Sequence, residues 1–335
     1  MLLGACLLLV SCGDKETSDS DLPKEVRIGI IRVPNDKQVA IAENYFDSYF
    51  ADKGIKTKFM FFDSGVSANQ ALSSGGIDFA EMGYTNGVVA LATDLPVKLI
   101  WIHEVLGDNE ALVAQQSLNI KEVKELKGKK IATPFSSTSH FSLLQALKEA
   151  GIDQDVTLLD MQTSEIVAAW ERGDIDAAYT WEPTLSTLQE TGNVLIDSKE
   201  LAEKGYMTVN IDLVHEAFAK KYPELVEDYL LALNKGVTLY HEEPEKAAEA
   251  AAKELGITKE EALRQMQGTT WLSLEEEISK DYLGTESAPG HFNQVFYDTG
   301  VFLNDQGAIQ HVPSEEDIQS FIQPKFIEGA IKKNE

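Results

Sequence analysis

Cysteine is almost missing from this chain of 335 residues. Its two cysteines, Cys6 and Cys12, both lie within the first twelve residues. The rest of the chain therefore cannot contain a disulfide, a cysteine nucleophile or a metal site with cysteine ligands. Any chemistry of the folded part must use other side chains.

Basic residues are scarce relative to acidic ones. The chain has 29 Lys and Arg against 55 Asp and Glu, a formal net charge of −26. A field of this sign repels nucleic acid and anionic lipid headgroups, so neither is an expected partner. If the ligand is an anion, local geometry must hold it against this charge.

Long hydrophobic runs are missing too, because no segment approaches the roughly 18 uninterrupted apolar residues of a membrane span. The short apolar run at the N-terminus ends at Ser11 and Cys12, and a polar stretch over residues 13–24 follows. This pattern resembles the lipobox of bacterial lipoproteins, in which a small residue precedes the cysteine that is lipidated. It predicts Cys12 as the lipidation site and residues 13–24 as a flexible tether, with Cys6 as a weaker match.

The signal segment, residues 1–12, lacks a basic region and is shorter than the roughly 15–30 residues of a signal peptide. We therefore expect it to be incomplete. The lipobox pattern predicts a protein that is exported and lipid-anchored to the outer face of the cytoplasmic membrane, at the cell surface or in the periplasm.

Enzyme motifs are absent as well. Three His-Glu pairs begin at His103, His215 and His241, but none has a second histidine four residues on, as zinc proteases require. No Walker A, GxGxxG or GxSxG motif is present. Ser137, Ser139 and His140 imitate part of a hydrolytic dyad, but residues so close at a helix start point in different directions. We predict a protein that is not an enzyme and uses no cofactor or metal.

What is present is a regular α/β alternation. From residue 26 onward, β-branched runs alternate with helical patterns, beginning with a predicted strand over residues 26–33, a helix over residues 38–53 and a strand over residues 56–62. This alternation is typical of βα units on a largely parallel sheet. After residue 209 helices dominate. They are predicted over residues 223–239, 244–255, 258–267, 292–303 and 316–331.

Two segments resemble each other. In each a glycine, Gly75 or Gly173, is followed by an Ile-Asp pair and then by a strand. The first strand ends at Tyr84, Thr85 and Asn86, and the second ends at Trp181 and Glu182. Because ligands of open α/β sheets bind beyond the carboxyl ends of strands, two such ends suggest a cleft between two lobes. Coincidence is the alternative.

The segment from residue 126 to 152 is the most informative. A predicted strand over residues 129–133 is stopped by Pro134, and a helix capped by Gly151 follows. Hydroxyl residues and one histidine open this helix, at Ser136, Ser137, Thr138, Ser139 and His140. Unpaired N–H groups and the positive end of the helix dipole make such a start an anion site. The alternative is an ordinary N-cap, which needs only one hydroxyl.

Residues 109–116, 126–152 and 168–198 closely resemble substrate-binding proteins of the nitrate, sulfonate and taurine class of ABC importers, and the taurine-binding members are the most similar. The resemblance implies a type II periplasmic-binding-protein fold: two α/β lobes with a ligand cleft between them and a helical C-terminal region. Lobe 1 is expected over residues 25–107 and 207–335, and lobe 2 over residues 108–206.

The resemblance also implies a ligand site for taurine or a closely related small sulfonate. The anion would lie on Ser137, Thr138, Ser139 and His140, with Trp181 covering the ligand. The remaining expected site residues are Asn35, Tyr84, Thr85, Asn86, Glu110, Glu182 and Asn210.

The receptor for a ligand amine stays open among these residues. Glu110 either pairs with the amine or forms a structural salt bridge, and the two are equally favoured. Asn210 is neutral where close relatives carry an aspartate, so Asp212, Glu182 or Glu110 would have to supply the charge.

The implied function is capture of the sulfonate by lobe closure and its delivery to an ABC permease with its ATPase, by a protein expected to be a monomer. Alkanesulfonate, nitrate and a thiamine precursor are alternative ligands. A pyrimidine synthase of thiamine biosynthesis shares the resemblance, but those enzymes use a cysteine-rich motif that this chain lacks. A structural surface lipoprotein would not need the hydroxyl-rich helix start.

Overall fold

The computed structural model describes residues 22–335. Cys12 and the signal segment lie outside this range, so lipidation stays a prediction. The strands are β1 (Glu25–Ile31), β2 (Lys56–Phe62), β3 (Phe79–Gly83), β4 (Val97–Leu106), β5 (Glu110–Gln115), β6 (Lys130–Thr133), β7 (Thr157–Asp160), β8 (Ala177–Trp181), β9 (Gly192–Asp197), β10 (Val209–His215), β11 (Thr269–Thr270), β12 (Gly284–Thr285) and β13 (Ala288–Pro289).

The helices alternate with these strands at first and then dominate the C-terminal part. They are α1 (Asp36–Ala42), α2 (Tyr45–Phe50), α3 (Gly65–Ser73), α4 (Tyr84–Ala92), α5 (Thr138–Glu149), α6 (Thr163–Arg172), α7 (Thr184–Gln189), α8 (Ser198–Glu203), α9 (Glu216–Lys221), α10 (Pro223–Glu242), α11 (Pro244–Leu255), α12 (Lys259–Gln267), α13 (Leu274–Glu277), α14 (Phe292–Asp305), α15 (Glu315–Phe321) and α16 (Lys325–Asn334).

Two separate sheets organise these elements. The first has the strand order β11-β4-β10-β3-β1-β2, and the second has the order β7-β6-β8-β5-β9. The βα units pair in parallel, as predicted, at β1 with β2 and β3 and at β6 with β7 and β8. Strands β4, β5 and β10 pair antiparallel with their neighbours, so the sheets are mixed. These are the strands through which the chain passes from one sheet to the other and back.

The two passages between the sheets lie side by side. The first joins β4 to β5 through residues 107–109, and the second leads from α8 to β10. The N–H of Leu106 donates to the carbonyl of Thr208 at 2.9 Å, which ties one passage to the other. These two short, adjacent connections are where the chain passes between the sheets.

The repeated segments adopt the same local structure. Gly75 and Gly173 both have left-handed backbone conformations, with φ of +68° and +71°, and each follows a helix. The aspartates near the following strands accept backbone N–H groups at 2.8 Å, Asp78 from Arg27 and Asp176 from Lys130. The sequence similarity of the two segments therefore reflects two equivalent βα units, one in each sheet.

Two predicted helices are each divided. Residues 38–53 form the end of α1, then α2 and a short 3₁₀ turn, because Asn44 takes a left-handed φ of +57°. Residues 316–331 form α15 and α16, because Pro324 cannot continue a helix and the N–H of Gln323 donates to the carbonyl of Leu99 instead. None of the helices within residues 22–335 combines the length and hydropathy needed to cross a bilayer.

Candidate ligand-binding site

A cleft with an empty volume of about 540 Å³ lies between the two sheets. Its lining combines apolar walls with polar groups, among them the Glu110 carboxyl, and contains no lysine or arginine. The lining residues are Ile31, Val33, Ser64, Gly65, Val66, Gly83, Asn86, Leu106, Asn109, Glu110, Pro134, Phe135, Ser137, Thr138, Trp181 and Asn210.

Helix α5 begins at this cleft on the side of the second sheet. Ser137 is its N-cap, and its Oγ accepts the N–H of His140 at 3.1 Å while donating to the carbonyl of Pro134 at 2.6 Å. The N–H groups of Thr138 and Ser139 lie in the first helical turn, where no intrahelical acceptor exists. First-turn N–H groups of this kind can donate to an anion.

The hydroxyls of the same turn have another partner. Thr138 Oγ1 and Ser139 Oγ donate to Glu110 Oε1 at 2.5 and 2.7 Å, and Ser198 Oγ donates to Glu110 Oε2 at 2.7 Å. Burial raises the pKa of the Glu110 carboxyl, and the three hydroxyls oppose that rise. Glu110 makes no salt bridge within the described residues and instead fixes the start of α5.

His140 turns away from the cleft lining. Its ring stacks on Phe135 with centroids 4.3 Å apart, and its Nδ1 accepts the N–H of Ser136 at 3.3 Å. Burial lowers the pKa of His140 to about 4, so the imidazole is neutral at physiological pH. His140 therefore adds no positive charge to the site.

Two further helices begin at the cleft on the side of the first sheet. Helix α4 starts after Gly83 without a side-chain cap, and α3 starts after its N-cap Ser64. A Cβ atom on Gly83 would lie 2.9 Å from Cγ2 of Thr138, so glycine is needed for this close approach. Thr85 Oγ1 donates to the carbonyl of Ser136 at 2.9 Å and joins the starts of α4 and α5.

Other expected site residues support this wall rather than line it. Tyr84 is buried, and its hydroxyl bonds to Thr299 at 2.8 Å. Asn86 does line the cleft and lies against Gly65 at the start of α3. Asn35 is buried as the N-cap of α1 and donates to Glu81 at 2.5 Å.

The acids expected near a ligand amine are engaged elsewhere. Glu182 pairs with Arg264 at 2.8 Å and accepts the N–H of Ser186 at 3.0 Å. Asp212 pairs with Lys37 at 2.8 Å and also accepts the hydroxyl of Tyr229. Trp181 lies in the cleft lining at the end of β8.

Asn210 lines the cleft from β10, and a different acid stands beside it. Asn210 Nδ2 donates to Glu104 Oε1 at 2.6 Å. Glu104 is only 2% exposed, and its Oε2 is a buried atom with no hydrogen-bond partner among the described residues. No cluster of acidic, histidine or cysteine side chains suited to a metal ion occurs within residues 22–335.

Known proteins show the same sequence pattern. The model of the family described as NMT1/THI5 like matches residues 43–247. The taurine-binding periplasmic protein of Escherichia coli (strain K12) is 31% identical over 298 residues, which covers 87% of this chain and 89% of that protein. The chain belongs to the NMT1/THI5-like family.

Solved structures confirm the predicted two-lobed fold of this NMT1/THI5-like protein. The periplasmic aliphatic sulphonate binding protein SsuA from Escherichia coli aligns with a TM-score of 0.72 at 21% identity, covering 90% of this chain and 92% of that one. The desulfurization enzyme DSZB aligns with a TM-score of 0.66 at 16% identity, covering 93% and 100%. Because binding proteins and an enzyme share the fold, function has to be argued from the site.

Sequence reasoning missed several cleft residues of this NMT1/THI5-like protein. Ser64 and Gly65 follow the carboxyl end of β2, so the same strand-end rule that selected residues 84–86 applies to them. Glu104 carried no such signal, since it lies within a strand and reaches the site through Asn210. Phe135 and Asn109 lie next to predicted site residues in the sequence but carry no signal of their own.

Proposed function

We propose that this chain is the extracytoplasmic substrate-binding component of an ABC importer and that it binds taurine or a closely related small sulfonate. The observation that carries the proposal is the convergence of three helix N-termini, those of α3, α4 and α5, on one cleft without a cationic side chain in its lining. Helix starts supply backbone N–H donors and positive dipole ends for an anion. A sulfonate, with three oxygens and a permanent charge, suits such a set of donors.

The relatives support the same chemical class. The Escherichia coli relative is named for taurine, and the aligned SsuA structure is named for aliphatic sulphonates. The donors come from both lobes, so all of them act on one ligand only when the lobes are closed. Binding therefore shifts the hinge equilibrium toward the closed form.

Three contacts between the lobes are compatible with this mechanism. Thr85 reaches Ser136, Glu182 reaches Arg264, and the ring of Phe141 packs edge-on against Phe302 with centroids 4.9 Å apart. We place the lobe boundaries near residues 107 and 206, as the sequence suggests. We further propose that the protein is exported, anchored through lipidated Cys12, monomeric, and partnered by a permease with its ATPase.

A longer alkanesulfonate is the second candidate ligand. The apolar residues Ile31, Val33 and Leu106 line the cleft and would contact the alkyl chain of such a ligand. A pyrimidine synthase of thiamine biosynthesis is disfavoured, because residues 13–335 contain no cysteine for the motif of those enzymes.

Competition calorimetry with taurine, ethanesulfonate, butanesulfonate, glycine and nitrate tests the proposal. We expect taurine to bind at least tenfold more tightly than ethanesulfonate and nitrate not to compete. Binding of no sulfonate would overturn the proposed function. Tighter binding of butanesulfonate than of taurine would favour the second candidate.

A further inference from the structure

Asn210 occupies a position between the oxyanion donors and a buried acid. On β10 it pairs with Gly83 of β3 on one side and with Glu104 of β4 on the other. Neighbouring strands are about 4.8 Å apart, so Asn210 lies one strand spacing from the start of α4. That spacing matches a ligand whose two charged ends are joined by a short linker.

The orientation of the Asn210 carboxamide follows from its partner. Its Nδ2 donates to Glu104 at 2.6 Å, so its Oδ1 is the atom left to accept a hydrogen bond from the cleft. When Glu104 is ionised, its carboxylate polarises the amide and makes Oδ1 a stronger acceptor. A cation bound at Asn210 would therefore be stabilised by the ionised form of Glu104 behind it.

Glu104 belongs to a buried charge cluster of five acids and two basic groups. Its members are Asp36 and Lys37 of α1, Glu81 of β3, His103 and Glu104 of β4, Asp212 of β10 and Glu277 of α13. Lys37 is paired with Asp212 at 2.8 Å, and His103 with Asp36 at 2.6 Å. Glu104 has neither cation as a direct partner, and its Oε2 is an unpartnered buried atom.

We propose that Asn210 Oδ1, backed by Glu104, receives an ammonium group of the ligand while the N-termini of α3, α4 and α5 hold its sulfonate. This inference rests on the proposed function and narrows the ligand class to aminosulfonates with a short linker. The acids Glu110, Glu182 and Asp212 are held by hydroxyls or cations, whereas Glu104 bonds directly to the cleft-lining Asn210 and has no cation as a direct partner among the described residues.

The same geometry predicts proton release on binding. Burial, reinforced by the charge of Glu81, raises the pKa of Glu104 to about 8, so this acid carries a proton at pH 7. An ammonium beside Asn210 favours the ionised carboxylate and lowers that pKa. Taurine affinity should therefore rise between pH 6.5 and 8.5, whereas ethanesulfonate affinity should not.

Calorimetry on the full chain with taurine and ethanesulfonate tests the proposal. We expect Glu104→Gln to weaken taurine binding at least tenfold, to change ethanesulfonate binding less than threefold, and to abolish proton release measured in buffers of different ionisation enthalpy. Glu277→Gln is the matched control, because it removes another buried acid of the cluster that bonds to the N–H of Ile102 rather than to Asn210. It should leave the preference for taurine intact.

Asn210→Asp gives a second readout that does not depend on the folding of Glu104→Gln. It should preserve or strengthen taurine binding and weaken ethanesulfonate binding, because it places a carboxylate in the cleft wall. Equal losses for both ligands in Glu104→Gln, or taurine binding without proton release, would overturn the inference while leaving sulfonate binding in place. A wild-type protein that binds neither sulfonate would overturn the proposed function itself.

Discussion

At the start of α5, the side-chain hydroxyls and the backbone N–H groups have different roles. The hydroxyls of Thr138 and Ser139 hold the buried Glu110 carboxylate, and the first-turn N–H groups are left for a ligand. The abundance of hydroxyl residues in this turn thus serves to anchor the helix. The oxyanion donors of the proposed site are backbone groups.

Two substitutions separate these roles. Thr138→Val keeps the side-chain shape but removes one hydrogen bond to Glu110, so the free energy of unfolding should fall by about 1–3 kcal/mol while sulfonate affinity changes less than threefold.

Gly83→Ala should weaken binding at least tenfold, because its Cβ would lie 2.9 Å from Thr138 Cγ2 and hold the starts of α4 and α5 apart.

Calorimetry and urea unfolding measure both effects. Gly76→Ala is the control, since Gly76 lies outside the cleft and its added Cβ would meet its nearest neighbours at 3.3 Å. A large affinity loss in Thr138→Val would show that the hydroxyl itself binds the ligand.

The sequence was informative about which residues approach the cleft and less so about what each side chain does there. The run from Ser137 to Thr138 does lie in the lining, as does Trp181. The direction of the hydroxyls depends on Glu110, which is 28 residues away and reaches them only through the pairing of β5 with β8. Local sequence contains no trace of that contact.

At the scale of elements, Glu182 links the two lobes. It follows β8 of the second sheet and pairs with Arg264 on α12, which packs beside β11 of the first sheet. Glu182 is 1% exposed, while the Arg264 side chain is about half exposed. Under the proposed closure mechanism, this pair between the lobes should break when the lobes separate.

Arg264→Gln should therefore weaken the closed form. A pair of this exposure contributes about 1 kcal/mol, so the affinity for taurine and for ethanesulfonate should fall by about the same fivefold factor. Arg172→Gln is the control, because it removes an exposed ion pair with Asp174 that lies within one lobe. Loss of taurine binding alone would instead place Arg264 at the ligand amine.

Elements with strong periodicity were predictable, and their long-range partners were not. Strand β2 and helix α11 begin and end where the sequence pattern indicates. Antiparallel pairing of β4 with β10 was not predicted, because residues over 100 positions apart meet there and each strand alone reads as a buried apolar run. The interlobe pair of Glu182 with Arg264 was missed for the same reason.

At the scale of the whole molecule, buried protons couple stability to pH. Burial, with the charge of Glu81, raises the pKa of Glu104 from 4.5 to about 8. Burial disfavours a charged ring at His103, but Asp36 and Asp212 outweigh it and raise its pKa from 6.5 to about 10. Over these ranges the folded state holds protons that the unfolded chain has released.

The free energy of unfolding should accordingly fall as pH rises from 6 to 9. Each proton retained only by the folded state contributes a slope of about 1.4 kcal/mol per pH unit, and the two ranges overlap between pH 6.5 and 8. Urea unfolding at successive pH values measures this slope. Glu104→Gln should make it shallower below pH 8, and stability that stays flat or increases toward pH 9 would contradict the assignment.

Because the hydrogen-bond donors are divided between the two lobes, separation of the lobes would promote release of the ligand. Helices α3 and α4 stand on one side of the cleft and α5 on the other, so parting the lobes by a few ångströms removes part of the donor set at once. A docked permease that prefers the separated lobes would lower ligand affinity without touching the ligand. By thermodynamic reciprocity, the ligand would change the affinity of docking by the same factor. The permease would then respond to the bound ligand through the conformation of the binding protein, without contacting the ligand itself.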